Sequence, residues 1–181
     1  MLAALITRGD ILIKNVVYRH LGALIDKLEE AGASIVKTDN SVHVRYKKQL
    51  SPVNITTLPY PGFPTDMQAQ MMSLMSVTSG ISVITEKIYP DRFMHVSELN
   101  RMGANIQREG PHAIVAGIKG LSGASVMASD LRASACLVLA GLAATGKTSI
   151  SRIYHLERGY ENIEAKLEKL GAKIHREREK E

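Results

Sequence analysis

A chain of 181 residues with 45% hydrophobic and 23% charged residues is long enough to bury one globular core. It holds no apolar run long enough to span a membrane, and Met1–Ile6 is too short for a signal peptide. A net charge of +5 favours anionic ligands, but 4% aromatic residues and no Trp leave little for base stacking, so phosphate or carboxylate capture is expected and nucleic acid is not.

The first element, Leu2 to Thr7, reads as the last turns of a buried helix. A β-branched run from Ile11 to Val16 predicts a strand, and Leu21, Leu24, Ile25 and Leu28 then form one apolar helical stripe. Short strands follow at Ser34–Thr38 and Ser41–Tyr46. Asp66–Ser79 is dense enough in apolar residues for a helix buried on most sides, and Ile81–Ile88 reads as the next strand. A second amphipathic helix ends at Gly103. Asp130–Thr145, Thr148–Tyr154 and a helix ending at Gly171 repeat the same order.

That recurrence is written in one octapeptide, Leu-x-x-(Ala/Met/Leu)-Gly-Ala-x-Ile, which begins at Leu28, Leu99 and Leu167. Each copy follows a second glycine. The pairs Gly9/Gly32, Gly80/Gly103 and Gly146/Gly171 lie 23, 23 and 25 residues apart, and successive units are 66 to 71 residues long. Glycine is expected to end the helices before Gly80 and Gly146, because it tolerates a left-handed position. The predicted unit is β-α-β-α-β-β in an α/β (α+β) chain of one domain, residues 1–181. Its repeats are 1–46, about 52–117 and about 122–181. The first is expected to be truncated, since no strand or helix start precedes Leu2 as it does in later units. The uncovered apolar surface would lose about 25 cal/mol per Å² of burial and favour marginal stability or association.

Three motifs carry less chemistry than their letters suggest. Gly141-Leu-Ala-Ala-Thr-Gly146-Lys147-Thr148 fits the phosphate-loop pattern, whose mechanism needs a strand before the loop and a helix after it. Here the order is reversed, so no nucleotide cradle is expected. Cys136 lies in an apolar helix without a nearby His or Lys and is read as a buried, inert thiol. A single cysteine allows no internal disulfide and fits a reducing cytoplasm. The six histidines show no close pair at metal-ligand spacing, so no metal and no other cofactor is expected.

The remaining candidates sit at helix starts. Tyr60-Pro-Gly-Phe-Pro-Thr-Asp66-Met-Gln68 places Thr65 and Gln68 at capping-box spacing and Asp66 where it favours the helix dipole. The same rigid, proline-rich loop could equally present Asp66 as a general base beside a phosphate-attracting helix end. Asp130 holds the equivalent place one unit later, as an N-cap or a reactive carboxylate, with Arg132 two residues on. Arg158, in Glu157-Arg158-Gly159-Tyr160, could take a carboxylate or phosphate in bidentate fashion or lie in solvent. Arg92 occupies the matching position in the preceding unit.

Phe63-Pro-Thr-Asp-Met-Gln-Ala-Gln70, Arg92-Phe-Met-His-Val96, Leu121-Ser-Gly-Ala124, Ala128-Ser-Asp-Leu-Arg-Ala-Ser134 and Arg152-Ile-Tyr-His-Leu-Glu-Arg-Gly-Tyr-Glu161 closely resemble the UDP-N-acetylglucosamine 1-carboxyvinyltransferase family of enolpyruvyl transferases. The resemblance runs across nearly the whole chain and corresponds to the family's C-terminal half. It implies an inside-out barrel domain of three repeats around a pseudo-threefold axis. It also implies transfer of an enolpyruvyl group from phosphoenolpyruvate to the 3′-hydroxyl of UDP-N-acetylglucosamine, with release of phosphate, in cytoplasmic peptidoglycan synthesis. By similarity Asp66 is the base and Ile88 binds the sugar nucleotide through its backbone. Arg132 and Arg158 hold phosphoenolpyruvate, Asp130 stands near the reacting carbons, and Arg92 lies in the surrounding shell. The family's N-terminal domain, with its Lys-Asn pair and mobile loop, has no counterpart here and is the expected partner; without it weak or no activity is expected. Two other readings stay open: a shikimate-pathway enolpyruvyl transferase, and a stand-alone regulatory or RNA-binding module.

Overall fold

The computed structural model describes residues 1–177. Its elements follow the repeat. First come α1 (Leu2–Ile6), β1 (Asp10–Lys14), α2 (Gly22–Glu30), β2 (Ser34–Thr38) and β3 (Ser41–Arg45). Next are β4 (Ile55–Thr56), α3 (Gln68–Ser76), β5 (Gly80–Thr85), α4 (His95–Arg101), β6 (Asn105–Glu109) and β7 (His112–Gly117). The last group is β8 (Ser125–Met127), α5 (Leu131–Ala143), β9 (Ser149–Ser151), α6 (Tyr154–Glu157) and α7 (Ile163–Glu168).

The strands make three separate sheets, ordered β1-β3-β2, β4-β5-β7-β6 and β8-β9. In the first, β3 pairs antiparallel with both neighbours; the same antiparallel trio recurs as β5-β7-β6. β4 joins β5 in parallel through α3, and β8 joins β9 in parallel through α5. The helices α1, α3 and α5 pack pairwise against one another. The helices thus stand inside and the sheets outside, one sheet per helix, an α/β arrangement with three-part symmetry.

Burial explains the odd composition of these central helices. Every residue of α3 is buried, so its Ala, Met and Leu side chains are not confined to one stripe and its Gln and Ser residues are buried with them. Its small polar residues return their protons to protein: the Ser76 hydroxyl donates to Met72 O at 2.8 Å, and Ser73 Oγ donates to Cys136 O at 2.9 Å and its Sγ at 3.1 Å. Burial pushes the Cys136 thiol up to about 12, against the Ser73 hydrogen bond, which makes it unreactive as expected.

The octapeptide has a mechanical meaning. After α4, Gly103 N donates to Asn100 O and Ala104 N donates to Leu99 O, the paired bonds of a Schellman stop, with Gly103 at φ +91°. The same two bonds recur at Gly32/Ala33 and at Gly171/Ala172. Leu is required because Leu28 and Leu99 are fully buried, and the helix must turn at that point to deliver the next strand.

Several sequence expectations need correction. α3 ends at Ser76 and α5 at Ala143, so Gly80 opens β5 and Gly146 lies in the link to β9, and neither is the helix stop. At the end of α1 the left-handed conformation falls on Arg8, at φ 58°. The strand predicted to run to Ile88 stops at Thr85, because the next amides fold over the Glu86 carboxylate. The helix predicted to follow β9 is broken into α6 and α7, with Asn162 left-handed between them. No closing strands form after Gly171 within the described residues, and 178–181 lie outside them.

Gly117 shows how tightly the sheet is keyed to the helix. A Cβ there would lie 1.6 Å from the Thr78 carbonyl oxygen, while the neighbouring Ile118 N donates to Ser76 O at 2.9 Å. Gly117→Ala is therefore expected to destabilise the chain by about 3 kcal/mol in urea unfolding. Gly120→Ala, with nothing within 4 Å of the new methyl, is expected to cost less than about 0.5 kcal/mol. Equal midpoints for the two variants would disprove the keyed contact.

Candidate functional site

Most of the candidates converge where α3 and α5 begin. The chain enters α3 through a short 3-10 turn, Thr65–Met67, after Pro64, so Asp66 stands ahead of the helix with its side chain 63% exposed. The Asp66 Oδ1 accepts from Arg132 Nε at 2.7 Å and from Arg132 Nη2 at 2.6 Å, across 66 residues of sequence. Arg92 Nη1 lies 3.6 Å from the same oxygen. At this exposure the pair adds at most about 1 kcal/mol of stability, so its consequence is positional: two guanidinium groups and a carboxylate are held together at an open surface.

Asp130 is the N-cap of α5. Its Oδ1 accepts from the backbone N–H of Arg132 and of Ala133, both at 2.8 Å, which satisfies two amides that a helix start leaves without partners. The cap also fixes where Arg132 leaves the helix, and so aims it at Asp66. The capping box expected at Thr65 and Gln68 does not form. Thr65 instead donates to Glu86 Oε2 at 2.8 Å, and Gln68 is fully buried with neither side-chain polar atom bonded.

Behind this surface lies a buried carboxylate that the motif reading missed. Glu86 is fully buried and accepts four hydrogen bonds: Thr57 Oγ1 at 2.6 Å, Ile88 N at 2.9 Å, Tyr89 N at 3.0 Å and Thr65 Oγ1. The Ile88 N–H is thus committed inside the protein. Arg92 rests over the Tyr89 ring, 4.0 Å from its centroid, and donates through Nη1 to Thr65 Oγ1 at 2.8 Å. A signal for Glu86 was present in the strand: Ser82, Ile84 and Glu86 alternate inward with period two.

His95, the first residue of α4, is 2% exposed, with Nε2 unpartnered. Burial pulls its pKa down to about 4, against the opposing pull of Asp130 and Glu86, so the ring is neutral near pH 7. Arg158 is not drawn into the Asp66 cluster. It is exposed, in the turn after α6, and that turn reaches the same end of the molecule. A Cβ on Gly159 would lie 3.0 Å from Leu131 Cδ2, and Gln70 Nε2 donates to Tyr160 Oη at 3.3 Å.

The phosphate-loop match is confirmed as a false one: Gly141 lies inside α5, and Gly146-Lys147 leads into β9. Lys147 Nζ donates to Glu177 at 3.1 Å. No helix among the described residues is long and apolar enough to cross a membrane.

Comparison with known proteins identifies the family. The Myxococcus xanthus protein described as UDP-N-acetylglucosamine 1-carboxyvinyltransferase is 57% identical over 178 residues, covering 98% of this chain and 42% of that protein. The Geotalea daltonii protein of the same description is 60% identical over 179 residues, covering 99% of the chain and 43% of the relative. The chain therefore spans about two fifths of the length of the curated relatives it matches. Among solved structures, the enolpyruvyl transferase NikO from Streptomyces tendae superposes with a TM-score of 0.87 at 28% identity, over 96% of this chain and 42% of that one. EPSP synthase from Acinetobacter baumannii gives 0.63 at 21% identity, over 81% of the chain and 36% of that structure, a likeness of fold. The family model described as EPSP synthase (3-phosphoshikimate 1-carboxyvinyltransferase) matches residues 1–167, and the chain belongs to this family of enolpyruvyl transferases.

Proposed function

We propose that the chain forms one wall of an enolpyruvyl transferase site, in which phosphoenolpyruvate reacts with the 3′-hydroxyl of UDP-N-acetylglucosamine. The observation that carries this reading is the Asp66 carboxylate held through one oxygen by Arg132 and flanked by Arg92 at an exposed helix mouth. All of these contacts use Oδ1, so Oδ2 can meet a substrate hydroxyl. The high identity to relatives described as acting on UDP-N-acetylglucosamine supports that acceptor over the shikimate-type one.

In the addition step Asp66 takes the hydroxyl proton, the oxygen bonds to C2 of phosphoenolpyruvate, and its methylene carbon gains a proton. The tetrahedral intermediate then loses a proton from that methyl carbon as the C–O bond to phosphate breaks, leaving the enolpyruvyl ether and inorganic phosphate. Asp130 stands one residue from the start of α5, beside Arg132, and serves at the reacting carbons. Arg132 and Arg158 bind carboxylate and phosphate; an incoming anion competes with Asp66 for Arg132 and loosens that pair, freeing the base. The Ile88 N–H is committed to Glu86, so Ile88 meets the sugar nucleotide through its carbonyl oxygen. Neither metal nor organic cofactor enters these steps.

The remaining substrate contacts belong to an N-terminal domain supplied by the rest of the enzyme, and the setting is peptidoglycan synthesis in the cytoplasm. The test is phosphate release by a hybrid in which this chain replaces the matching 42% of the Myxococcus xanthus relative. Turnover is expected with UDP-N-acetylglucosamine as acceptor, and little from the isolated chain. Turnover with 3-phosphoshikimate instead would move the assignment to the other branch of the family.

A further inference from the structure

We propose that Glu86 is a positioning residue for the transfer chemistry: its carboxylate sets the direction of the Thr65 hydroxyl, and that hydroxyl holds Arg92 beside Asp66. The inference rests on the function proposed above and assigns a role to a residue that touches no substrate.

The argument is one of donors and acceptors. Glu86 is fully buried between three segments, the ends of β4 and β5 and the loop before α3. A carboxylate only accepts, so both hydroxyls that reach it must donate their single proton to it. Thr57, having donated to Oε1, accepts from Lys87 N at 2.9 Å. Thr65, having donated to Oε2, can only accept from the other side, and there stands Arg92 Nη1 at 2.8 Å. The same carboxylate takes Tyr89 N–H and so anchors the residue whose ring supports the Arg92 guanidinium. Arg92 is thereby fixed from two sides, its side chain 16% exposed, with Nη1 3.6 Å from Asp66 Oδ1.

Glu86→Gln separates this relay from mere filling of space. The amide oxygen keeps the three donors at the Oε1 position, since Thr57, Ile88 and Tyr89 all need an acceptor. The amide nitrogen then faces Thr65 as a donor. Thr65 then accepts from it, and its own proton, no longer drawn to residue 86, competes with Arg92 Nη1 for the remaining side of the hydroxyl. The backbone at Ile88 and Tyr89 stays in place while the Thr65 hydroxyl loses its fixed direction and the Arg92 hydrogen bond to it weakens. Thr65→Val removes the same link by deleting the hydroxyl without adding a donor.

Two measurements test this. In the 15N-labelled 181-residue chain, the Arg92 guanidinium resonances are followed by NMR. Slow side-chain rotation is expected in the unsubstituted chain, and faster rotation in both Glu86→Gln and Thr65→Val. In the hybrid enzyme, assayed well below each melting temperature, each variant is expected to lower kcat about tenfold, with KM for UDP-N-acetylglucosamine within about twofold. The double variant should fall no further than the worse single one. Multiplying losses, a loss carried by KM alone, or unchanged Arg92 rotation in Glu86→Gln would overturn the relay. If the unsubstituted hybrid shows no turnover, the functional reading fails, and the resonance comparison alone decides for or against the relay.

Discussion

Replacing Asp66 with Asn is expected to lower kcat of the hybrid enzyme by about 10²- to 10⁴-fold, the range lost with a general base. The substituted side chain keeps its shape and an oxygen that can still accept from Arg132. It loses the negative charge and the capacity to take a proton. Because the carboxylate is 63% exposed and its ion pairs add little stability, the melting temperature should barely move. That separation makes the result readable: a large kinetic loss without unfolding locates the chemistry at Asp66. Asp130→Asn offers the matched comparison, since Asn caps a helix about as well as Asp. Its stability should also be kept, so any fall in turnover reports on the reaction and not on α5. Turnover of Asp66→Asn within twofold of the unsubstituted enzyme would remove Asp66 from the mechanism.

The second large effect is a loss of stability in mild acid, traced to His95. Its pKa is about 4 in the folded chain, against an ordinary value near 6.5 when unfolded, because burial disfavours the charged ring. The unfolded state therefore binds the proton first as pH falls. The stabilising contribution of the neutral ring is complete above about pH 6.5, declines as pH drops from 6.5 toward 4, and is gone below 4. Between pH 7.5 and 4.5 the loss should be about 2–3 kcal/mol in urea unfolding at constant ionic strength. Carboxylates contribute to the same acid limb, so the decisive quantity is the difference from His95→Gln, whose dependence should be flatter by that amount. Parallel curves for the two proteins would show that His95 does not drive the transition.

The repeat was legible because helix stops and strand starts are local. Leu99, Gly103 and Ala104 specify a Schellman turn by themselves, so the three copies share one register and the order of elements follows from it. Asp130 was legible as a cap for the same reason, its partners being two and three residues away. The assembly of the site was not legible from spacing. Asp66 meets Arg132 across 66 residues, and Thr65 meets Glu86 across 21, distances at which only tertiary packing decides the partner. Thr65 illustrates the conflict: its local signal is a capping box, and a buried carboxylate outcompeted the helix for its hydroxyl. Arg8 adopts the left-handed turn and stacks 5.9 Å from the centre of the Tyr46 ring, a contact that glycine at the same place could not make. Resemblance named Asp66, Arg132 and Arg92 as members of one site but not their contacts, while Glu86 was open to the inward alternation of Ser82 and Ile84 carried one step past the end of β5.

The most direct measurement is mass spectrometry of the acceptor after UDP-N-acetylglucosamine and phosphoenolpyruvate are incubated with the hybrid enzyme and, separately, with its Asp66→Asn variant. The Asp66-centred site predicts that the acceptor gains one enolpyruvyl group with the unsubstituted hybrid and almost none over the same time with the variant. An unmodified acceptor in both reactions, or equal conversion in both, would contradict it.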